Sequence, residues 1–252
     1  MRLAGFTSLH PYRSSIGFLL IVVAVVISVG MINRLFLMGT LVQVALGDLI
    51  LAITGIVLLT RLDWWEKAGY TTGFRLKHAT LIVLPLAFAL LSLGTGIRVT
   101  APTAILAFAA LTLIIGFAEE TFFRGLILTT LLPTGAIRAV LLSSVLFAAP
   151  HLLNIIGGLW DPAFTIVDSI AAFGLGVTFA AIRLRTGSIW PVIGIHAFFD
   201  FTSLISLGGI TVTAQSLQSL ITSACIGILF VAYGLFLLRN QGKGVHGGTD
   251  TS

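Results

Sequence analysis

Three short polar motifs interrupt a chain that is otherwise apolar. They are Glu119-Glu120 with Arg124, Phe147 with His151, and His196 with Asp200. An ionisable side chain inside hydrocarbon costs about 2.5 to 3.5 kcal/mol on insertion scales, so a chain that keeps several must pair them or use them. Glutamate and histidine are common general acids and bases in enzymes. The motifs therefore indicate a buried site with acid–base chemistry.

The first motif separates two neighbouring carboxylates. Glu120 and Arg124 stand four residues apart, so they share one helical face and can form an ion pair within the helix. Glu119 points about 100° away and faces a different environment. We interpret Glu120 as the counter-charge of Arg124 and Glu119 as an available base. For the pair taken alone, a purely structural ion pair at a helix end is an equal alternative.

The second and third motifs each place a histidine on a helical face. His151 follows Phe147 by four residues, and Pro150 loosens the helix beside the imidazole. His196 and Asp200 are also four residues apart, so the carboxylate can accept from the ring and fix its tautomer, or both can face one ligand. A lone histidine is more often an ordinary satisfied polar residue. We expect the three motifs to converge, because convergence leaves none of the charged groups unpaired.

The composition shows which elements must position these motifs. Hydrophobic residues make up 57% of the chain and charged residues 9%, whereas a soluble domain has about 25% charged residues. Apolar runs of about 17 to 25 residues predict membrane-spanning helices. Eight such runs occur, at 16–33, 40–60, 79–97, 104–131, 137–156, 164–183, 189–208 and 217–238. The predicted fold class is all-α, a polytopic membrane protein built as a bundle of about eight transmembrane helices.

The basic residues predict the topology of this bundle. With eight spans, eleven Lys and Arg residues fall on one side, and Arg34 and Arg98 fall on the other. Because basic loops stay in the cytoplasm, both termini are predicted to be cytoplasmic, and the protein to be a multi-pass protein of the cell membrane. The formal net charge of +5 comes from basic residues spaced singly at the ends of apolar segments. We therefore exclude nucleic acid as a partner.

The chain is predicted to form one domain. Residues 1–240 form a single transmembrane domain whose motifs lie at about 100–210. Residues 241–252 are rich in glycine and carry too little apolar surface to fold, so they are predicted to be a disordered cytoplasmic tail. The single cysteine, Cys225, excludes a disulfide framework and a thiolate metal cluster.

Taken together, the motifs point to a known family. Glu-Glu-x-x-x-Arg at 119–124, Phe-x-x-x-His at 147–151 and His-x-x-x-Asp at 196–200, in this order on separate helices, resemble the CAAX prenyl protease and bacteriocin-processing family of intramembrane endopeptidases, also called the CPBP or Abi family. The resemblance implies an all-helical bundle of about eight spans that hydrolyses peptide bonds near the membrane surface. It implies a peptide or a membrane-anchored, including prenylated, protein as substrate, and the lipid bilayer as surroundings. Many members are immunity or maturation proteins, so no particular substrate is implied.

The resemblance also implies roles for the first two motifs. It makes Glu119 the general base that activates water, with His151 cooperating in holding or deprotonating that water. Glu120 and Arg124 would hold the site in shape.

The third motif and the cofactor leave alternatives open. His196 and Asp200 would bind the tetrahedral oxyanion or orient the ligand, although an aspartate is a poorer oxyanion partner than asparagine unless it is protonated or serves to orient His196. Zinc held by His151, His196 and Glu119 could activate the water. A metal-free mechanism needs only a glutamate base and hydrogen-bonding partners. No His-Glu-x-x-His helix is present, so we predict no cofactor and keep zinc as the alternative.

We predict an active enzyme, an intramembrane endopeptidase that uses a glutamate-activated water. One alternative is a catalytically silent family member that acts as a bacteriocin-immunity or binding protein. A transporter or channel is a further alternative, but it would more naturally show repeated halves with broken helices in matching places. In straight spans Glu119 and His151 would lie near opposite membrane faces. We therefore expect tilted or broken helices around a water-filled cavity that faces the cytoplasm.

Overall fold

The computed structural model describes residues 9–94, 96–157, 161–207 and 216–239. Throughout these ranges the chain forms helices and connecting turns without a β-strand. The all-α prediction is confirmed. The predicted disordered tail at 241–252 lies outside the described residues.

Eight longer helices are present in the described ranges. They are α1 (Pro11–Phe36), α2 (Thr40–Leu62), α3 (Val83–Leu93), α4 (Pro102–Thr134), α5 (Ala136–Ala148), α6 (Pro162–Thr186), α7 (Trp190–Leu207) and α8 (Leu217–Arg239). Two short pieces continue α5, a 3-10 turn over Ala149–Leu152 and a helix over Leu153–Gly157.

The number of helices that can cross a membrane is smaller than predicted. Within the described residues, six helices are long and apolar enough, namely α1, α2, α4, α5 with its continuation, α6 and the 220–239 part of α8. The predicted span at 79–97 contains a 3-10 helix over Leu76–Ile82 followed by α3, which has 11 residues. At 1.5 Å per residue α3 is about 16 Å long, half of a bilayer core. The polytopic membrane fold is confirmed, and the count of eight spans is not.

Proline and capping groups determine where the helices begin and end. Pro11, Pro102 and Pro162 stand in the first turns of α1, α4 and α6, where a missing N–H costs nothing. The Asp161 carboxylate accepts a hydrogen bond from the Phe164 amide at 3.0 Å and caps α6. These features set where α6 begins, and α6 forms one wall of the cavity described below.

Small residues let the central helices approach each other closely. Where α6 crosses α8, a Cβ added to Gly174 would lie 2.1 Å from the backbone oxygen of Gly227. Between α4 and α7, a Cβ at Gly116 would lie 2.9 Å from the backbone oxygen of Ile193. Close backbone approach at small residues is typical of helix packing in membranes. The glycines thus set the spacing of the helices that carry the polar motifs.

A π-helical segment lies at the centre of the bundle. Residues Thr121–Ile127 of α4 adopt this wider helix, and all seven are buried. The segment packs against α1, α2, α5 and α6. π-helical turns are rare and often occur at functional sites. This turn directly follows Glu119 and Glu120, so the core of the bundle is built around the first motif.

Gly174→Ala is expected to destabilise the protein by about 1 to 3 kcal/mol, because the new methyl group would overlap the backbone of α8. The matched control is Gly17→Ala in α1, where a Cβ would meet no atom within 4 Å and where alanine favours the helix by about 0.8 to 1 kcal/mol. Thermal unfolding of both variants in detergent checks this. Equal melting temperatures for the two variants would contradict the close α6–α8 crossing.

Candidate active site

The three motifs meet at one cavity of about 670 Å³. Its walls come from α1, α2, α4, α6, α7 and the continuation of α5. The ionisable side chains that line it are Arg34, Asp48, Glu119, His151, Asp168, His196 and Asp200. The structure therefore brings together the motif residues from three separate helices, as convergence of the motifs predicts. Glu120 and Arg124 lie behind this wall, fully buried.

Glu120 is the central carboxylate of the buried part. Its Oε1 accepts a hydrogen bond from Arg124 Nη1 at 2.8 Å, the pair expected from the spacing of the motif. The same oxygen lies 2.8 Å from His196 Nδ1 on α7. A carboxylate in an ion pair can only accept, so His196 donates through Nδ1. One carboxylate oxygen thus holds both the guanidinium and the imidazole.

This arrangement does not support the alternative in which Asp200 fixes the tautomer of His196. Asp200 Oδ2 is 3.6 Å from His196 Nε2, which is beyond a hydrogen bond. Glu120, 76 residues away in the sequence, takes that role. Asp200 instead lines the cavity next to the ring, where it and the ring can both face a ligand.

The ring of Phe147 packs against the charged groups of the site. The Arg124 guanidinium carbon lies 4.1 Å from the centre of the Phe147 ring and 5.5 Å from that of Phe179, a favourable cation–π arrangement. The Phe147 ring also contacts the rings of His151 and His196, with centroids 5.6 and 5.9 Å apart. Phe147 therefore contacts the guanidinium of Arg124 and both imidazole rings.

Glu119 differs from its neighbour Glu120 in exposure and in contacts. Its side chain is 27% exposed, whereas that of Glu120 is 0% exposed. It lines the cavity, and its Oε2 is 3.7 Å from His196 Nε2, too far for a direct hydrogen bond. A water or a substrate group in the cavity can contact both side chains. The carboxylate of Glu119 is therefore accessible from the cavity.

His151 reaches the cavity because α5 ends early. Regular α-helix stops at Ala148, and a 3-10 turn with Pro150 in it carries the histidine. This change of helix type occurs where proline was expected to loosen the helix. Straight spans would place Glu119 and His151 near opposite membrane faces. Because α5 is not a regular helix up to His151, this expectation does not apply.

Asp168 on α6 is a site residue that the motifs do not include. Its Oδ2 lies 2.9 Å from His151 Nδ1. The two residues are 17 positions apart on different helices, so no fixed spacing reveals the contact. The available signal was an aspartate inside an apolar run, a position that is costly without a partner.

The first two helices also contribute polar groups to the cavity. Asp48 of α2 lines it and interacts electrostatically with Glu119, Asp200 and His196. Asn33 of α1 donates a hydrogen bond to Gln43 of α2 at 2.5 Å, and both side chains line the cavity. The sequence motifs gave no role to these residues, which come from a part of the chain without a recognisable pattern.

The loop after α2 holds the start of the π-helix. The hydroxyl of Tyr70 is hydrogen-bonded to that of Thr121, which also donates to the backbone oxygen of Phe117. Trp190 at the start of α7 donates to the backbone oxygen of Tyr70 at 2.9 Å. Burial raises the pKa of Tyr70 and keeps the phenol neutral. The loop thereby ties α4 to α7 one residue away from Glu120.

The residues of the cavity do not fit a zinc centre. Within the part of the chain that the structure describes, no group of three or more His, Cys, Asp or Glu side chains is arranged to hold a metal ion. The zinc ligands considered from the sequence, His151, His196 and Glu119, thus do not form a preorganised set. A metalloprotease-like centre has no support in this geometry.

Comparison with known families supports the resemblance seen in the motifs. Residues 101–202 match the family described as Rce1-like, type II CAAX prenyl endopeptidase. The matched segment runs from the start of α4 into α7 and contains all three motifs. It leaves out α1, α2, α3 and α8. The match confirms the resemblance to the CAAX prenyl protease family. Neither a curated protein nor a solved structure matches the chain.

Glu120→Gln is expected to lower the stability of the protein by about 3 to 5 kcal/mol, because it leaves the buried Arg124 without its counter-charge. Glu119→Gln is the matched control, since it makes the same chemical change at the neighbouring, accessible carboxylate. Melting curves of both variants in detergent check this. If Glu119→Gln proved the more damaging, the roles of the two carboxylates would have to be exchanged.

Proposed function

We propose that this chain, whose residues 101–202 match the Rce1-like family, is an intramembrane endopeptidase that hydrolyses peptide bonds with a water activated by Glu119. The observation that carries the proposal is the difference in environment between the two glutamates of the first motif. Glu120 is fully buried and bound to two partners, whereas Glu119 opens onto the cavity shared with His151 and His196. One carboxylate holds the site, and the other is free to take a proton.

The cavity residues support a direct sequence of proton transfers. A water between Glu119 and His151 gives one proton to Glu119 as its oxygen attacks the scissile carbonyl carbon. His196, oriented by Glu120, and Asp200 in its protonated form donate hydrogen bonds to the oxyanion that develops. The carbon–nitrogen bond then breaks, and Glu119 returns the proton to the leaving amine. The products are a carboxylic acid and an amine, which at neutral pH exchange a proton to give a carboxylate and an ammonium group, and no redox step is needed.

The walls of the cavity support an apolar, membrane-bound substrate. Side chains from the first two helices that line it include Val22, Val26, Ile27, Val29, Met31, Val44 and Leu51. Apolar walls with a few polar groups suit a peptide carrying an apolar anchor. We therefore propose a peptide or membrane-anchored protein, including a prenylated one, as substrate. We also propose that the protein resides in the cell membrane, with both termini and the cavity opening on the cytoplasmic side.

One observation favours the alternative of a silent family member that acts as an immunity or binding protein. Asp200 stands beside His196, where an ionised carboxylate would repel an oxyanion instead of stabilising it. The same pocket could then bind a peptide without cleaving it. Turnover measurements separate these two functions.

Purified protein in lipid vesicles is expected to cleave a farnesylated peptide that ends in a CAAX sequence, with the fragments identified by mass spectrometry. Glu119→Gln, His151→Ala and His196→Ala should each lower turnover by about 100-fold to 10,000-fold, because each removes a group that acts on the reacting atoms. Asp63→Asn is the control, an identical acid-to-amide change at an exposed residue whose left-handed backbone asparagine tolerates.

The same variants test whether turnover occurs in cells. We expect membrane-protein termini to differ between cells that express the wild-type protein and cells that express Glu119→Gln. If the farnesylated peptide binds but is not cleaved, and the termini are the same, the silent binding protein is the correct function. Near wild-type turnover by Glu119→Gln would contradict the proposed base.

Metal removal is expected to leave turnover unchanged. The reason is that, among the described residues, no group of three or more His, Cys, Asp or Glu side chains is arranged to hold a metal ion. Elemental analysis of protein purified without added metal, before and after chelation, checks this against turnover. Near-stoichiometric zinc that is lost together with turnover, and restored with it, would contradict the metal-free mechanism.

A further inference from the structure

Asp168 is a carboxylate of the cavity wall that the three motifs and the mechanism above leave without a role. It lies on α6, between the second and third motifs, and lines the cavity. Its Oδ2 is 2.9 Å from His151 Nδ1, and the two side chains are 28% and 26% exposed. The contact is therefore short and within reach of the cavity.

The two partners have unequal support from their backbones. Asp168 stands within a helix of 25 residues whose first turn is capped by Asp161. His151 lies in a 3-10 turn of four residues at the end of α5. A short 3-10 turn holds a side chain less firmly than a packed α-helix does. The orientation of the His151 ring therefore depends on the helix that carries Asp168.

The geometry also determines which ring nitrogen carries the proton. An ionised carboxylate only accepts hydrogen bonds, so the Nδ1 of His151 must donate to Asp168. In the neutral ring Nε2 then has the lone pair, and it lies on the side of the ring away from Asp168. Glu119, His196 and Asp200 also interact electrostatically with this ring.

We propose, building on the proposed function, that Asp168 is a positioning residue that holds His151 in the Nδ1–H tautomer and leaves Nε2 to accept a hydrogen bond from the water that Glu119 deprotonates. A carboxylate behind a histidine commonly fixes its tautomer and ring orientation in this way. Without Asp168 the ring can rotate or move its proton to Nε2, and the water loses one of its two acceptors.

A purely structural pair between the end of α5 and α6 makes a different prediction. Its loss would lower stability or the amount of folded protein, but it would not affect the reaction once folded protein is compared. The positioning role requires a change in the tautomer of His151 and in kcat. Both quantities can be measured on folded protein.

The first measurement is the tautomer of His151, which needs no substrate. The protein is labelled with ¹⁵N-histidine in lipid nanodiscs, and long-range ¹H–¹⁵N spectra are recorded at alkaline pH, where the rings are neutral. The five histidines of the chain are distinguished by the signal missing in His151→Ala. We expect the Nδ1–H tautomer for His151 in the wild-type protein and an altered tautomer population in Asp168→Asn.

The second measurement is the cleavage of the farnesylated peptide. Asp168→Asn should lower kcat by about 10-fold to 100-fold, the usual range for a residue that orients a functional histidine, and leave KM within about twofold. The matched control is Asp161→Asn, the same change on the same helix, because asparagine caps a helix as well as aspartate does. It should retain wild-type kcat and the wild-type tautomer.

The outcomes separate this inference from the proposed function. An Nε2–H tautomer in the wild-type protein, or a tautomer that Asp168→Asn does not change, overturns the positioning role. Wild-type kcat in folded Asp168→Asn also overturns it. If the wild-type protein cleaves nothing, the proposed function fails, and the spectra still show whether Asp168 holds the ring of His151.

Discussion

The hydrogen bonds to Oε1 of Glu120 are the interaction on which the rest of the site depends. This one oxygen binds Arg124 within α4 and His196 on α7, and all three side chains are shielded from solvent. A buried guanidinium without a counter-charge would cost several kcal/mol. The carboxylate thus allows a cation to lie in the apolar core, and it fixes the ring that faces the cavity. A change at Glu120 would therefore affect both the stability of the protein and the geometry of the candidate site.

Aromatic and hydroxyl-bearing side chains surround this polar cluster. Aromatic rings of Phe147 and Phe179 cover the guanidinium. The buried π-helix follows Glu120 directly, and the hydroxyl groups of Tyr70 and Thr121 tie its start to the loop after α2. Such supporting contacts restrict the motion of the catalytic side chains, and restricted motion is what preorganises charge stabilisation in a site.

The two histidines of the cavity are held by the same kind of hydrogen bond. Each uses Nδ1 to bind a carboxylate on another helix, Asp168 for His151 and Glu120 for His196. Glu119 lies in the same cavity without such a partner role in the mechanism, and its side chain is accessible. In the proposed mechanism Glu120 and Asp168 each orient a histidine ring, and Glu119 takes the proton. Asp48 adds a further carboxyl group from α2, outside the segment that matches the family.

The sequence by itself determined the helical membrane fold, the identity of most site residues and the pair of Glu120 with Arg124. These follow from composition and from spacings within one helix, where a period of 3.6 residues places positions four apart on one face. Only the tertiary structure decided that Glu120 rather than Asp200 orients His196 and that Asp168 binds His151. It also decided that, in the described part of the segment 79–97, a 3-10 helix precedes the short helix α3. Contacts between helices depend on how each helix is rotated and how closely it packs, for example at Gly174 and Gly227. Neither quantity is encoded in a local sequence pattern, because both arise from the fit of whole helix surfaces against one another.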